Sequence, residues 1–446
     1  MLFSSFSFLF LFLPVFLAVY FLCPPRWRTA VIFFFSLLFC GLGSPVAVVF
    51  LLLSAVAHYW FGRLAERGRP GVALAVGFDL SLLLFFKYYD AAASLLGWSA
   101  LGLSLPLGLS FYSFFGLAYV IDVSRGAAAE RRPLPFLAQF SFFPKLLSGP
   151  ITRYDTLRGA MAAPVSSYGR ASRGIERFLC GLSKKLLLAA PASEMWEYLR
   201  DLPGEARGVF GAWLALLFYA FWLYYDFSGY TDMAIGLGEI LGFSLPENFQ
   251  YPYTAHSPRD FWRRWHITLS AWFRDYVYIP LGGSRRGAAR TVLNLLAVWL
   301  LTGLWHGATP NFLAWGLYWF FFLALSRTGV GRLCARMPKG LRRALMLPLI
   351  LVSWLIFAYA EPSALAAHFL GLFCGVPLTP LVGYELLRSA LLLGVLTLGS
   401  TPWPRRWYER RVKGTWAALA LCLVGLFLSL AYLVGGTHQP FLYLDF

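Results

Sequence analysis

Two histidines in the middle of the chain, His266 and His306, are the residues best suited to acid–base chemistry. His266 lies in a charged stretch, FWRRWHITLSAWFRDY, whereas His306 ends an apolar helical run within NLLAVWLLTGLWHGATPNF. An imidazole can accept a proton and return it near neutral pH, because its ordinary pKa is about 6.5. The segment from Asn248 to His306 is therefore predicted to contain the site around which the rest of the chain is organised.

The apolar segments on either side of the His306 turn are predicted to be too short to cross a bilayer. Residues 292–305 and 312–325 form runs of about 14 residues that rise roughly 21 Å, against a hydrocarbon core of about 30 Å. Between them, HGATPN contains a glycine and a proline that stop a helix. Irregular backbone at membrane depth is tolerated only beside protein or water, so we expect a cavity there. The alternative is a structural histidine that binds a free helix-end carbonyl.

The spacing around His266 predicts a continuous amphipathic helix. Its apolar face would carry Trp262, Trp265, His266 and Leu269. Arg263 and Arg264 would point elsewhere, and Arg274 and Asp275 would follow at the C-terminal end. An interfacial helix, with aromatic rings at headgroup level and arginines on phosphates, explains this pattern except for the histidine. A structural and a functional role for His266 both remain open from its position alone.

Three carboxylates in YYDFSGYTDMAIGLGEI, those of Asp226, Asp232 and Glu239, could bind a metal or relay protons. Their spacing matches no known metal-binding loop, so no metal site is expected. Pairing with arginines such as Arg263, Arg264 or Arg274 is favoured. Lys145 and Arg153, which flank SGPIT, are likewise interpreted as phosphate-facing or paired charges.

The other histidines have no predicted catalytic role. His58, His368 and His438 are interpreted as structural, and His256 lies in a loop, YPYTAHSP, without an assigned role. The sequence contains no GxxxxGK[ST] loop, no GxGxxG after a strand, no GxSxG elbow and no HExxH. The absence of these motifs argues against ATP hydrolysis, dinucleotide chemistry and metalloprotease chemistry.

The composition requires a lipid environment. Of 446 residues, 59% are hydrophobic and only 13% are charged, whereas a soluble domain is about one quarter charged. The net charge of +17 is attributed to cytoplasmic loops and not to nucleic-acid binding, because Lys and Arg collect on the cytoplasmic side of membranes. The six cysteines are scattered without CxxC spacing, as expected of small buried side chains.

These features predict an all-α polytopic membrane protein of one domain, residues 1–446, with about 11 or 12 spans. The alternation of basic loops places the N-terminus outside the cytoplasm. Residues 136–149 are expected to be re-entrant or interfacial and residues 365–375 interfacial. The predicted apolar membrane segments are residues 5–22, 30–41, 45–61, 72–88, 106–123, 175–191, 209–227, 344–360, 386–398 and 416–434, together with the two short segments 292–305 and 312–325 and a separate short helix at 231–241.

Several motifs resemble those of the membrane-bound O-acyltransferases. WRRWHITLS followed by GLWHGA is the most specific pair, and LGGSRRG follows the first of these motifs. The similarity also includes residues 105–126, 142–154, 224–253 and 261–287 and the C-terminal QPFLYLDF. Within the family, these segments are most similar to the members that O-acetylate alginate-like bacterial exopolysaccharides.

The resemblance implies a ring of helices around a central funnel, with the catalytic core at about residues 105–327. His306 would be the catalytic residue at the bottom, acting as general base, and His266 the second essential one. His266 would orient a substrate, stabilise an oxyanion or shuttle the proton. The residues expected to bind substrate are Asp226, Asn248, Arg263, Arg264, Trp265, Arg274, Asp275 and Trp305.

The resemblance also implies the substrates and partners. The acyl donor, acetyl-CoA or another thioester, would arrive from the cytoplasm, with no bound cofactor. The acyl group would pass to a polysaccharide outside a bacterial cell membrane, through a periplasmic or extracellular SGNH-type acetyltransferase. Partners would thus include membrane lipid but no nucleic acid.

Three alternatives remain open. Relatives that transfer D-alanine to teichoic acid share the fold and a WHxSLS-like run, but they lack the LGGSRRG continuation of residues 281–287. A transporter of acyl or glycan precursors would be expected to contain paired repeats, and the sequence has none. A pure scaffold would leave the two histidines without a reason.

Overall fold

The computed structural model describes residues 1–68 and 70–435, and this part contains helices and no strand. His438 and the QPFLYLDF segment lie outside the described residues. The first helices are α1 (Leu13–Leu22), α2 (Arg28–Gly43), α3 (Pro45–Ala65), α4 (Pro70–Leu83), α5 (Tyr89–Leu96), α6 (Leu109–Ser124), α7 (Pro133–Ser141), α8 (Phe143–Leu146), α9 (Tyr154–Ala162), α10 (Tyr168–Ser183), α11 (Ala190–Asp201) and α12 (Gly204–Leu241). The others are α13 (Pro258–Trp262), α14 (Ile267–Phe273), α15 (Ala288–His306), α16 (Pro310–Leu325), α17 (Gly329–Arg336), α18 (Lys339–Ala358), α19 (Pro362–Gly371), α20 (Pro380–Arg388), α21 (Ala390–Gly399), α22 (Trp403–Arg411) and α23 (Trp416–Val434).

Four π-helical turns interrupt or extend these helices. They lie at Ser7–Phe12, Leu84–Tyr88, Lys184–Ala189 and Arg274–Tyr278. The second turn joins α4 to α5 and the third joins α10 to α11. Such turns change the direction in which side chains point and are often found at functional sites.

The described residues contain seven helices that are long and apolar enough to cross a membrane. The bent pair α20 and α21 provides an eighth, and three shorter apolar helices lie at Ser7–Leu22, Leu109–Ser124 and Pro310–Leu325. The described residues thus contain seven or eight candidate spans, fewer than the 11 or 12 predicted, because three of the predicted spans are shorter apolar helices. The prediction of an all-α, multi-pass membrane protein is confirmed.

Helix α12 corrects two of the predicted elements. Residues 209–227 and 231–241 were expected to be separate helices, but they form one helix that ends only at Gly242. Gly229 lies within this helix without interrupting it, at the point where α12 packs against α10. A Cβ on Gly229 would lie 2.8 Å from the carbonyl oxygen of Gly181 on α10, and a Cβ on Gly181 would lie 2.5 Å from that of Gly229. The two backbones are therefore in direct contact, as small residues permit between membrane helices.

The prediction of a separate span at residues 175–191 was wrong. Its sequence belongs to the continuous helix from α10 through α11, which is not among the candidate spans. The reason is charge: Arg177 and Lys184 both bind Asp232 of α12 at 2.6 Å. The adjacent Lys185 pairs with Asp226. Arg177, Lys184 and Lys185 are therefore paired with carboxylates of α12.

These contacts also correct the predicted partners of the carboxylates. Pairing of Asp226, Asp232 and Glu239 with basic residues is confirmed, but the ion pairs seen in the described part of the chain are with Lys185, with Arg177 and Lys184, and with Arg170, and not with the arginines near His266. Glu239 binds Arg170 at 3.2 Å, again on α10. Sequence spacing could not identify α10 as the partner, because the partner helix lies about 50 to 70 residues earlier in the chain.

Candidate active site

His306 is the last residue of α15 and lies in a cage of aromatic rings. Its ring centroid is 4.8 Å from that of Trp305, 5.0 Å from Trp315 and 5.1 Å from Phe357. Phe312 stacks beside it at 6.0 Å. The residue is only 4% exposed. The His306 imidazole is thus buried and surrounded by aromatic side chains.

Helix α15 is longer than predicted. The expected apolar run of residues 292–305 is extended at its start to Ala288, which gives 19 residues and makes α15 a candidate span. The helix begins directly after Gly287, so residues 288–291 belong to it. The argument that this helix is too short to cross a bilayer is therefore wrong. The position of His306 partway through the membrane stays a prediction.

Helices α15 and α16 form a tight hairpin that fixes His306. A Cβ on Gly303 would lie 2.5 Å from the carbonyl oxygen of Phe312, and a Cβ on Gly316 would lie 2.4 Å from that of Trp299. The two backbones therefore touch just before α15 ends. The contact places Phe312 and Trp315 of α16 against the His306 ring.

His266 does not lie on a continuous helix, contrary to the helical spacing predicted for it. Helix α13 ends at Trp262 and α14 begins at Ile267. His266 has a φ of 41°, a left-handed conformation that costs a non-glycine residue about 1–3 kcal/mol. Backbone hydrogen bonds hold the turn: the Gln250 N–H donates to the Arg264 carbonyl at 2.9 Å, and the Ile267 N–H donates to the Asn248 carbonyl at 3.0 Å.

Asn248 determines which nitrogen of His266 carries the proton. The backbone N–H of Thr268 can only donate, and it contacts the side-chain Oδ1 of Asn248 at 3.2 Å. That Asn248 atom is therefore the oxygen, which can only accept. Since Nδ1 of His266 lies 3.2 Å from the same oxygen, Nδ1 must be the donor. The neutral ring then has its proton on Nδ1 and a lone pair on Nε2.

The Nε2 atom of His266 is buried and makes no hydrogen bond within the described part of the chain. Burial lowers the pKa of His266 to about 3, so the neutral form is the one present near neutral pH. The network extends further, because the Thr268 hydroxyl donates to Asn248 at 2.9 Å and accepts from the Ile151 N–H at 3.1 Å. His266 is thereby oriented by two layers of hydrogen bonds.

Trp305 brings the two histidines into one site. Its ring centroid lies 6.5 Å from that of His266 and 4.8 Å from that of His306. Phe227 of α12 covers His266 from another side, edge-on at 4.9 Å. The structure thus brings His266 to Trp305 and His306, which lie 39 and 40 residues later in the sequence.

An aromatic series leads from Trp305 to a cluster of charged residues. Phe114 lies 5.2 Å from Trp305 and 4.5 Å from Trp272, and Trp272 lies 5.3 Å from Tyr276. The indole N–H of Trp272 donates to the Phe114 carbonyl at 2.9 Å. We call these four residues the aromatic series.

Three arginines converge where the aromatic series ends. Arg274 binds Asp275 at 2.7 Å, Arg153 also pairs with it, and Arg125 donates to its backbone carbonyl at 3.3 Å. Arg125 and Arg153 also lie over the ring of Tyr276. Burial alone would raise the pKa of Asp275, but the hydrogen bonds and charges of Arg274 and Arg153 hold it below its ordinary value. We call these three arginines with Asp275 the arginine cluster.

The other predicted binding residues lie elsewhere. Asp226 is buried against Lys185. Arg264 binds Asp260 at 2.9 Å, and Arg263 is exposed to solvent. The roles of Asp226, Arg263 and Arg264 in substrate binding stay predictions.

Trp265 lies behind the site. It is 2% exposed and packs on Trp354 at 4.8 Å. Trp354 in turn stacks on Trp315 of the His306 cage at 6.2 Å. Trp265 therefore supports the cage from the rear.

Most of the remaining predictions for single residues can be compared with the structure. His58 binds Asp79 at 3.0 Å, and His368 is hydrogen-bonded to Tyr359 at 2.9 Å, so both are structural as expected. His256 lies 3.3 Å from Asp260. No group of three or more His, Cys, Asp or Glu side chains in the described residues is arranged to bind a metal.

Two residues near His306 were missed. Lys87 donates a hydrogen bond to the carbonyl of Trp305, and Tyr88 donates to that of Leu304. A lysine inside an apolar span, as in LLLFFKYYD, was the available signal. Lys145 was expected to be phosphate-facing or paired, but it is buried, with Phe115 3.3 Å below its ammonium group and Thr152 as hydrogen-bond acceptor.

A sequence model of the membrane-bound O-acyltransferase family matches residues 123–366. This range includes both histidines, Asn248 and the arginine cluster. The chain belongs to this family. It is thus an O-acyltransferase, and the predictions of family and enzyme class are confirmed.

Among individual relatives, the probable alginate O-acetylase AlgI of Pseudomonas putida is 38% identical over 83% of this chain and 80% of its own length. The peptidoglycan O-acetyltransferase of Helicobacter pylori is 31% identical over 80% of this chain and 77% of its own length. The teichoic acid D-alanyltransferase of Bacillus subtilis is also 31% identical, but over 48% of this chain and 56% of its own length. Similarity to the two O-acetylating relatives thus covers most of the chain.

Proposed function

We propose that this chain transfers an acetyl group from a thioester donor on the cytoplasmic side toward hydroxyls of a polysaccharide on the other side. The observation that carries this proposal is the pair of buried histidines on either side of Trp305. One of them, His266, has its Nε2 lone pair fixed by Asn248. Two bases in an apolar cage suit the removal of a proton from a weakly acidic hydroxyl.

In the proposed reaction the acceptor hydroxyl loses its proton and attacks the thioester. His306 accepts the proton of the attacking hydroxyl while its oxygen forms a bond to the thioester carbonyl carbon. The carbon–sulfur bond then breaks, and the proton passes from the imidazolium to sulfur, which leaves a free thiol and an ester. General-base assistance of this kind contributes typically about 10²- to 10⁴-fold.

The hydrogen bond between His266 and Asn248 argues against one of the three roles predicted for His266. Of the three roles predicted for it, stabilising an oxyanion requires a proton on Nε2. Asn248 holds the proton on Nδ1 instead, so neutral His266 presents an acceptor. We infer that His266 accepts a hydrogen bond from the attacking hydroxyl, or receives its proton from His306.

The arginine cluster supports a donor that carries phosphate. Two guanidinium groups pair with the Asp275 carboxylate and a third, that of Arg125, binds its backbone carbonyl. The side chains of Arg153 and Arg274 are 52% and 62% exposed. Acetyl-CoA has the phosphates to bind them and a flexible arm that could follow the aromatic series to Trp305. Another acyl thioester with an anionic carrier would be recognised by the same charges.

The acceptor and the cellular location follow from the relatives and the charges. The relatives similar over most of the chain are named for acetylation of alginate and of peptidoglycan. We therefore propose an exopolysaccharide acceptor, reached through a periplasmic or extracellular SGNH-type acetyltransferase. The alternation of basic loops supports a bacterial inner membrane with the N-terminus outside.

The test uses purified protein in lipid vesicles with radiolabelled acetyl-CoA. His306→Ala should abolish the transfer of label to a hydroxyl acceptor, whereas His256→Ala should transfer label like the unsubstituted protein. His256 is a suitable control because it lies in a half-buried loop and pairs only with Asp260 among the described residues. Normal transfer by folded His306→Ala would contradict the proposed role.

D-alanyl transfer is the second candidate, supported by the similarity of 48% of the chain to a teichoic acid D-alanyltransferase. Offering D-alanyl and acetyl thioesters in the same assay separates the two functions. Preference for the D-alanyl donor would replace acetyl transfer as the proposed reaction.

A further inference from the structure

The helix that carries His306 ends without the usual backbone cap. The last carbonyls of any helix lack partners within the helix, and burying them unpaired is costly. In many helices a glycine in the left-handed conformation follows the last turn, so that the next backbone N–H groups can donate to these carbonyls. Gly307 follows His306, but its φ of 172° is extended, so this cap is not formed.

Side chains from a different helix supply the missing donors. The ammonium group of Lys87 donates to the Trp305 carbonyl and lies 5.5 Å from the centre of the Trp305 ring. The hydroxyl of Tyr88 donates to the Leu304 carbonyl and lies 3.3 Å from that of Gly307. The residues on either side of His306 are thus tied to one neighbouring turn.

That turn is the π-helical turn Leu84–Tyr88, which joins α4 to α5. An ordinary α-helix places neighbouring residues 100° apart, so consecutive side chains do not normally face the same target. The wider π-helical turn allows Lys87 and Tyr88 to reach the end of α15 together. The π-helical turn thus presents both donors to the end of α15, and such turns recur at functional sites.

The charge of Lys87 is also notable. Within the described part of the chain, Lys87 forms no ion pair with a carboxylate, and its contacts are with Trp305. A cation beside the C-terminal end of a helix is favourable, because that end carries partial negative charge. In an apolar span a lysine without a counter-ion is unusual and marks a functional position.

We propose that Lys87 and Tyr88 are positioning residues that hold the end of α15, and with it the His306 ring, in the reactive arrangement. This inference rests on the proposed function of His306. Neither side chain touches the reacting atoms in this scheme. They act through the backbone of Trp305 and Leu304.

The experiment compares Lys87→Met, Lys87→Arg, Tyr88→Phe and Tyr89→Phe in lipid vesicles. Lys87→Met should lower kcat about 10- to 100-fold, the cost of misplacing a catalytic group, while the KM for the donor changes by less than about twofold. Lys87→Arg, which keeps the donor and the charge, should recover much of kcat. Tyr89→Phe is the matched control, because the Tyr89 hydroxyl makes no hydrogen bond in the described part of the chain.

Hydrogen exchange gives a readout that does not depend on activity. Lys87→Met should raise amide exchange in the peptide that covers residues 303–309, and Tyr88→Phe should do so to a smaller extent. Tyr89→Phe should leave exchange unchanged. If wild-type protein shows no transferase activity, the proposed function fails. The exchange difference would still test whether Lys87 and Tyr88 hold the end of α15.

Unchanged kcat and unchanged exchange in folded Lys87→Met would overturn the inference. A loss of kcat that Lys87→Arg does not recover, with exchange raised throughout the protein, would also overturn it, because Lys87 would then only stabilise the fold. Lys87→Gln is the second variant if Lys87→Met does not fold.

Discussion

The side-chain oxygen of Asn248 lies 3.2 Å from Nδ1 of His266 and accepts its hydrogen bond. The same oxygen also accepts the Thr268 N–H and the Thr268 hydroxyl. One amide group therefore determines both the tautomer and the orientation of a catalytic candidate.

Replacing Asn248 with alanine should release the His266 ring without removing it. We expect kcat to fall about 10- to 100-fold, as is typical when a group that orients a catalytic ligand is lost. Nitrogen-15 spectra of labelled histidine should show the lone pair on Nε2 in wild type and a mixture of tautomers in Asn248→Ala. Asn294→Ala is the control, since Asn294 is equally buried but binds the Gly283 carbonyl. Identical spectra for wild type and Asn248→Ala would refute the tautomer assignment.

Acid should destabilise the fold through His266. Its pKa is lowered by burial to about 3, whereas in the unfolded chain it would be about 6.5. Between these values the unfolded state binds the extra proton, so stability falls as the pH drops below about 6.5. Thermal unfolding at pH 7.5 and pH 5 should show a larger loss in wild type than in His266→Gln. An equal loss in both proteins would show that His266 does not contribute.

The arginine cluster should affect donor binding and not the chemical step. Arg274→Gln should raise the KM for acetyl-CoA by about fivefold or less, since exposed charges contribute modestly, and added salt should reduce the difference. Arg200→Gln is a matched control. Arg200 makes the same pair of hydrogen bonds to its neighbour Asp201, at 2.8 and 3.1 Å, that Arg274 makes to Asp275, at 2.7 and 3.1 Å. A similar rise in KM for Arg200→Gln would contradict a local role for the cluster.

Two glycine substitutions should have opposite effects on stability. Gly181→Ala places a Cβ 2.5 Å from the backbone oxygen of Gly229, so the helices must separate and the melting temperature should fall. Gly77→Ala on α4 meets nothing within 4 Å, so it should stabilise the helix by about 0.5–1 kcal/mol. Thermal unfolding in detergent measures both. A higher melting temperature for Gly181→Ala would mean that α10 and α12 do not touch there.

The sequence was sufficient for the features that depend on local patterns. Apolar runs predicted most of the long helices, and the two histidines could be singled out because a polar group in an apolar chain needs a reason. The structure was needed where partners come from distant parts of the chain. Asn248 meets His266 only because the backbone folds back on itself with a left-handed residue, which helical spacing cannot anticipate.

The partners of charged side chains also depend on contacts between distant parts of the chain. Pairing of Asp232 could be expected, but the choice of Arg177 and Lys184 depends on how α10 lies against α12. The contribution of Lys87 was hidden for a similar reason. Its target is a backbone carbonyl 218 residues away, and carbonyls carry no signal in a sequence.

The contact between Gly181 and Gly229 has a consequence for the route by which substrates reach the site. Phe227, two residues before Gly229, covers one side of His266. Where two helix backbones touch, no acyl tail and no water molecule fits between them. The gap between α10 and α12 is therefore closed beside Gly229, and no substrate can pass between these two helices at that level to reach His266.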